Sequence, residues 1–171
     1  MFVLGIDPGV TRCGYGVVAR EGSALEARAC GVLTSSPSMP LPERLASLQG
    51  ELVALLDEFR PEVVVVERVF FQTNVRTAMS VGQASGLALA AASAAGCDVA
   101  QYTANEVKQA VTGYGAATKE QVGRMVQSLL GLATVPRPAD AADALALALT
   151  HLAVAPVLAA AARAQAAGGR P

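Results

Sequence analysis

The sequence predicts one α/β domain, a five-stranded mixed sheet with helices on both faces. Three observations carry that reading. The chain opens on Phe2-Val3-Leu4-Gly5-Ile6-Asp7-Pro8-Gly9, an apolar run ended by a lone carboxylate and a turn pair. Glu62-Val63-Val64-Val65-Val66-Glu67 is β-branched and apolar on both faces, the pattern of a central parallel strand. Between them lies a helical repeat, and strand, helix, parallel strand requires a right-handed crossover that can set the two strands side by side.

The elements follow in order. Thr11 to Val18 returns beside the first strand after a tight turn, and Ala24 to Leu33 alternates loosely, as a third, edge-like strand. Thr34 to Pro42 is a loop rich in Ser and Pro. Leu41, Leu45, Leu48, Leu52, Leu55 and Phe59 recur at helical spacing, with Pro42 tolerated in the first turn. Thr73 or Asn74 can cap a helix from about residue 75 to Ala95, where Ala78, Gly82, Gly86 and Ala90 permit close packing. Asp98 to Tyr102 reads as the fifth strand.

Two capping boxes come next. Thr103 with Glu106 opens a short helix through Ala110, which Gly113-Tyr114-Gly115 breaks. Thr118 with Gln121 opens another, lined on one face by Val122, Met125, Val126, Leu129 and Leu130. Pro136 and Pro138 precede a last helix from about Ala139 to Val154. The folded domain is expected over residues 1–155, with a flexible Ala- and Gly-rich tail over 156–171.

Composition narrows the function classes. A chain of 171 residues that is 53% hydrophobic and 16% charged, with net charge −1, is globular and carries no basic excess. Any contact with nucleic acid must come from a local patch or a bound cation. Cys13, Cys30 and Cys97 are odd in number and lack a CxxC pair, so neither a disulfide framework nor a zinc site is indicated. No basic segment precedes the first apolar run, and Asp7 interrupts it, so no signal peptide is read. Ala144 to Ala162 has no acid, Lys or Arg, but its alanines, His151 and Pro156 fit a core helix better than a membrane span. The expectation is a reduced, cytoplasmic protein with no membrane association.

The acids suggest chemistry. If the first strand and Val63–Val66 are parallel neighbours, Asp7 and Glu67 stand roughly 5 Å apart at their ends. Asp140 and Asp143 add two carboxylates at i and i+3 on one helical face. Dipole complementarity accounts well for Asp140 and less well for Asp143, which sits among Ala and Leu. Four such charges can converge only with divalent cations between them, and all-oxygen ligands favour Mg²⁺ or Mn²⁺ over zinc. Such a cluster can hold two ions about 4 Å apart, suited to phosphodiester hydrolysis. His151 lies roughly 16 Å from Asp140 along the same helix, a structural position.

After Glu67, Phe70 and Phe71 are either core plugs or exposed rings able to stack on bases. Arg68, Arg76, Lys108, Lys119 and Arg124 are candidate phosphate contacts, and Lys108 and Lys119 follow caps where helix N-termini favour anions.

Gly5-Ile6-Asp7-Pro8-Gly9 with Gly14-Tyr15-Gly16, Glu67-Arg68-Val69-Phe70, Gly82-Gln83-Ala84, Val107-Lys108-Gln109-Ala110-Val111, Lys119-Glu120-Gln121-Val122, and Asp140-Ala141-Ala142-Asp143-Ala144-Leu145-Ala146 with Thr150-His151 together resemble the crossover-junction endodeoxyribonuclease RuvC family. The resemblance runs in order over about residues 2–152. It implies an RNase H-like fold and a homodimer that resolves four-way (Holliday) DNA junctions by two symmetric nicks. It also implies metal-binding catalytic acids at Asp7, Glu67, Asp140 and Asp143, a stacking aromatic at Phe70 and functional lysines at Lys108 and Lys119. RuvA and RuvB are the implied branch-migration partners. Ser85, Thr73 and Ala116-Ala117 stand where relatives often have basic residues, so fewer cations would carry DNA binding.

Two other function classes compete. Asp7 to Gly14 fits the first phosphate loop of an actin-like ATP-binding domain, although such folds are usually twice this length. A catalytically silent junction-binding module is the other, and the full set of acids argues against it. Within the nuclease class, an RNA-directed RNase H-like resolvase is disfavoured by the Phe70 stretch.

Overall fold

The structure, a computed structural model, describes residues 1–68 and 75–168. Phe70, Phe71 and the expected cap at Thr73 or Asn74 lie outside them, as does the side chain of Arg76. The elements are β1 (Phe2–Asp7), β2 (Arg12–Glu21), β3 (Ala24–Thr34), α1 (Leu41–Phe59), β4 (Val63–Glu67), α2 (Val75–Ala94), β5 (Asp98–Tyr102), α3 (Ala104–Thr112), α4 (Lys119–Leu129) and α5 (Ala139–Gly168).

The sheet order is β3-β2-β1-β4-β5. Its first half is an antiparallel meander, and its second half pairs β1, β4 and β5 in parallel. The switch between the halves falls at β1, whose end carries Asp7. Alternation along the central strands then divides the core in two. Val3, Val63 and Val65 face α3, α4 and α5, whereas Leu4, Ile6, Val64 and Val66 face α1 and α2. Each of these side chains is almost fully buried, and each such burial contributes about 1.5–3 kcal/mol. Both faces of the sheet are covered, as the all-apolar Val63–Val66 run requires.

The cap chemistry is observed as well. Thr103 accepts from the Glu106 amide and Thr118 from the Gln121 amide, each with the reciprocal side-chain bond. The first of these helices runs to Thr112, two residues past the expected end, and closes on Gly113 in the left-handed region (φ 74°).

The largest difference lies in α5. In place of a helix ending at Val154, α5 continues through Pro156 to Gly168. A proline inside a helix leaves the carbonyl four residues earlier without its amide donor. That carbonyl belongs to Leu152, and Arg20 Nη1 from β2 donates to it at 2.7 Å. A side chain eighteen positions from the N-terminus of the sheet's meander thus fills the gap that sequence punctuation alone reads as a stop.

Candidate active site

The parallel register of β1 and β4, with Ile6 opposite Val66, brings Asp7 and Glu67 to the next rung at the carboxyl ends of both strands. Both carboxylates are half-buried. Burial, followed by the charges of Asp143 and Glu67, pushes Asp7 up to about 7, with Lys119 opposing and Asp140 adding to the rise. Glu67 is also raised, by burial first and then by Asp143. Asp7 therefore lies within electrostatic reach of the other three carboxylates, with Asp143 the strongest charge on each of the two strand acids.

Glycines bring Asp140 and Asp143 there. α5 packs directly across β1 and β2. A Cβ on Gly5 would overlap the carbonyl of Ala144, one on Gly14 the carbonyl of Asp140, and one on Gly16 the backbone nitrogen of Leu145. Only bare backbone at these positions lets the helix lie flush on the sheet. Gly14 is thus closed over by α5.

Cations meet the acids from three directions. Lys119, first residue of α4, donates to Asp143 Oδ2 at 2.7 Å, and this bond is the largest influence holding its ammonium above the usual lysine range. Lys108, from α3, shares with Lys119 a 90 Å³ pocket lined by Asp7, Glu67 and Asp143. Arg12, at the start of β2, donates to Asp140 Oδ2 from Nε at 3.1 Å and Nη2 at 2.6 Å. An adjoining open groove of 600 Å³ is lined by Asp7, Arg12, Glu67, Arg68, Lys119 and Asp140.

The sequence candidates therefore separate. Asp7, Glu67, Asp140, Asp143, Lys108, Lys119 and Arg68 come together. Arg124 stands apart, paired with Glu120 at 2.6 Å, in a neighbouring 890 Å³ groove that Lys119 and Asp143 also reach. Phe70, Phe71 and the Arg76 side chain are outside the described residues. Ser85 and Ala117 are buried in the packing, so basic residues there would not face a ligand. His151 accepts from or donates to the Tyr102 hydroxyl at 3.0 Å, away from the acids. Arg12 was missed by sequence reasoning, which took Thr11-Arg12 only as a strand start. Its signal was a cation five positions beyond a strand-ending acid.

The acids as they stand are not a closed cage. Among the described residues no three acidic, His or Cys side chains are gathered closely enough to hold an ion. Asp140 and Asp143 are instead each turned onto a cation of the protein.

A sheet of this order, with acids at its antiparallel-to-parallel switch, belongs to the RNase H-like class of phosphodiester hydrolases. Within that class the comparison is specific. Residues 3–151 match the model of crossover junction endodeoxyribonuclease RuvC, and the chain belongs to that family. The RuvC of Chloroflexus aggregans is 51% identical over 158 residues, covering 92% of this chain and 96% of its own. The solved structure of Thermus thermophilus RuvC superposes with a TM-score of 0.86 at 44% identity, over 92% of this chain and 96% of that one. The same Thermus protein in complex with a Holliday junction substrate also gives 0.86 at 44% identity, over 91% and 94%.

Proposed function

We propose that this chain is a structure-selective endonuclease that resolves four-way (Holliday) DNA junctions by paired symmetric nicks. The observation that carries this reading is the placement of Asp7 and Glu67 in two adjoining basic-rimmed cavities, one completed by Asp143 and the other by Asp140, in a chain of the RuvC family. All-oxygen donors, with Asp7 driven up to about 7 by burial and its neighbours' charge, suit hard divalent cations, whose charge would relieve that repulsion. Asp7, Glu67, Asp140 and Asp143 would hold them. When bound, two Mg²⁺ or Mn²⁺ ions supply an activated water and neutralise the leaving oxygen.

The chain's own residues do the rest. Lys119, set at a helix N-terminus and already within reach of three of the acids, steadies the non-bridging oxygens of the scissile phosphate as charge builds. Lys108 and Arg68 line the same cavities and orient the flanking backbone. Water attacks phosphorus in line with the departing 3′-oxygen, leaving 3′-hydroxyl and 5′-phosphate ends. Phe70 and Phe71 come shortly after Glu67 in the sequence, and on this reading Phe70 stacks at the junction centre. Arg76 and Arg124 are further phosphate contacts on this reading.

Two nicks require two such sites, hence a homodimer. The exposed face of α2 supports it: Met79 is 61% exposed and nothing stands over Gly82 or Gly86. RuvA and RuvB are the partners this reading brings. Residues 1–155 contain every group named. No described helix is long and apolar enough to cross a membrane, and the expected compartment is the cytoplasm.

The test is cleavage of a labelled synthetic four-way junction against linear duplex, in Mg²⁺, Mn²⁺ or EDTA. Paired metal-dependent nicks on the junction alone are expected. A junction bound but left intact in either metal would replace the nuclease with a silent binding module.

A further inference from the structure

Resting on the nuclease reading, one side chain next to the acids has no role yet. Arg12 spends Nε and Nη2 on a single oxygen of Asp140, and among the described residues no acceptor meets its Nη1. Its side chain is 48% exposed and that of Asp140 29%, so the pair is weakly held against water or a competing ion. The guanidinium lies on the wall of the 600 Å³ groove, between a proposed metal ligand and the space where a DNA strand would pass.

The backbone beneath it is fixed. Arg44 of α1 donates from Nη2 to Thr11 Oγ1 at 2.7 Å, and the Ser35 amide donates to the Thr11 carbonyl at 3.2 Å. Any change of partner is therefore a movement of the Arg12 side chain alone. A planar guanidinium fork matches a phosphate at least as well as a carboxylate.

We propose that Arg12 is a positioning residue that exchanges partners. In the DNA-free protein it occupies Asp140 and competes with the divalent cation for that carboxylate. When the junction enters the groove, Arg12 turns to a backbone phosphate and releases Asp140. DNA and metal then favour each other's binding through one side chain, and the coupling is reciprocal.

Arg12→Gln separates this from a structural role because the two affinities move in opposite directions. Free Mn²⁺ followed by electron paramagnetic resonance in the DNA-free protein should show binding about threefold or more tighter in the variant. Binding of a four-way junction in EDTA should weaken, with the slope of log affinity against log salt smaller by about 1. Arg12→Lys should keep the salt slope while also binding Mn²⁺ more tightly than the parent, and it reads the same quantities should the Gln variant fold poorly. Unchanged or weaker Mn²⁺ binding in both variants, or an unchanged salt slope in Arg12→Gln, overturns the exchange. The unsubstituted protein is assayed for junction nicking alongside: its failure to nick would sink the nuclease reading, whereas nicking with unmoved Arg12 variants sinks only this inference.

Discussion

Two arginines of the same strand reach the same helix and do opposite things. Arg12 opens β2 and meets Asp140 in the first turn of α5; Arg20, near the end of β2, meets the Leu152 carbonyl where Pro156 withholds an amide. At the Leu152 end every demand is local and met: a carbonyl gains its donor, and Tyr102 and His151 satisfy each other. At the Asp140 end demands conflict. Like charges are pressed together, two of them are paired with cations of the protein, and burial with neighbouring charge pushes Asp7 up to about 7. One end of the α5–sheet contact is built for stability, the other holds strain that a ligand can relieve.

The comparison can be broken most sharply at Asp7. Asp7→Asn should lower junction nicking by about 10³-fold or more, read on the labelled junction. The same substitution should stabilise the metal-free protein at alkaline pH. The unfolded Asp7 titrates near 3.8 and the folded one near 7, so its contribution to stability is complete below 3.8 and is lost as pH rises to 7. Above pH 7 the variant escapes that loss, a gain of about 1–3 kcal/mol by denaturant unfolding, and the gain vanishes below pH 4. An equal gain at every pH would mean that Asp7 is not the stressed group.

Gly5→Ala tests the contact that both ends share. A Cβ there strikes the Ala144 carbonyl, so unfolding free energy should fall by about 3 kcal/mol and nicking should fall with it. Arg20→Ala should cost about 1–2 kcal/mol by leaving the Leu152 carbonyl short of a donor, with nicking per folded molecule unchanged. If nicking fell as far as stability, the two ends would not be separable.

The smallest effect is the most diagnostic of sign. Burial holds the folded His151 below its ordinary 6.5, so the unfolded chain takes up the proton first. Its contribution to stability is present above pH 6.5 and is lost as pH falls, the reverse of Asp7. In metal-free Asp7→Asn, thermal unfolding between pH 5 and 7 should keep this His151 slope after the Asp7 slope has gone.

How much of this was readable in advance varies by residue. The alternation that divides Val63 and Val65 from Val64 and Val66, the parallel pairing that matches Asp7 with Glu67, and the boxes at Thr103 and Thr118 are local patterns, and each appears as expected. Asp143 was suspect because an acid on an Ala/Leu helix must face something. The end of α5 misled because Pro156 is a local stop signal, whereas its remedy comes from Arg20, 136 residues away in sequence.

By itself the sequence determined most of the strand and helix pattern and the family, and singled out four acids as candidates, because periodicity, capping and residue chemistry act over a few neighbours. Tertiary structure alone decided the rest. It showed that Gly5, Gly14 and Gly16 are bare so that α5 can touch the sheet, that Asp7 is raised by burial and then by its neighbours' charge, and that Arg12 and Lys119 pair with the helix acids. The reason is physical: close approach and charge interaction depend on distances through space, and those exist only once the chain has closed on itself.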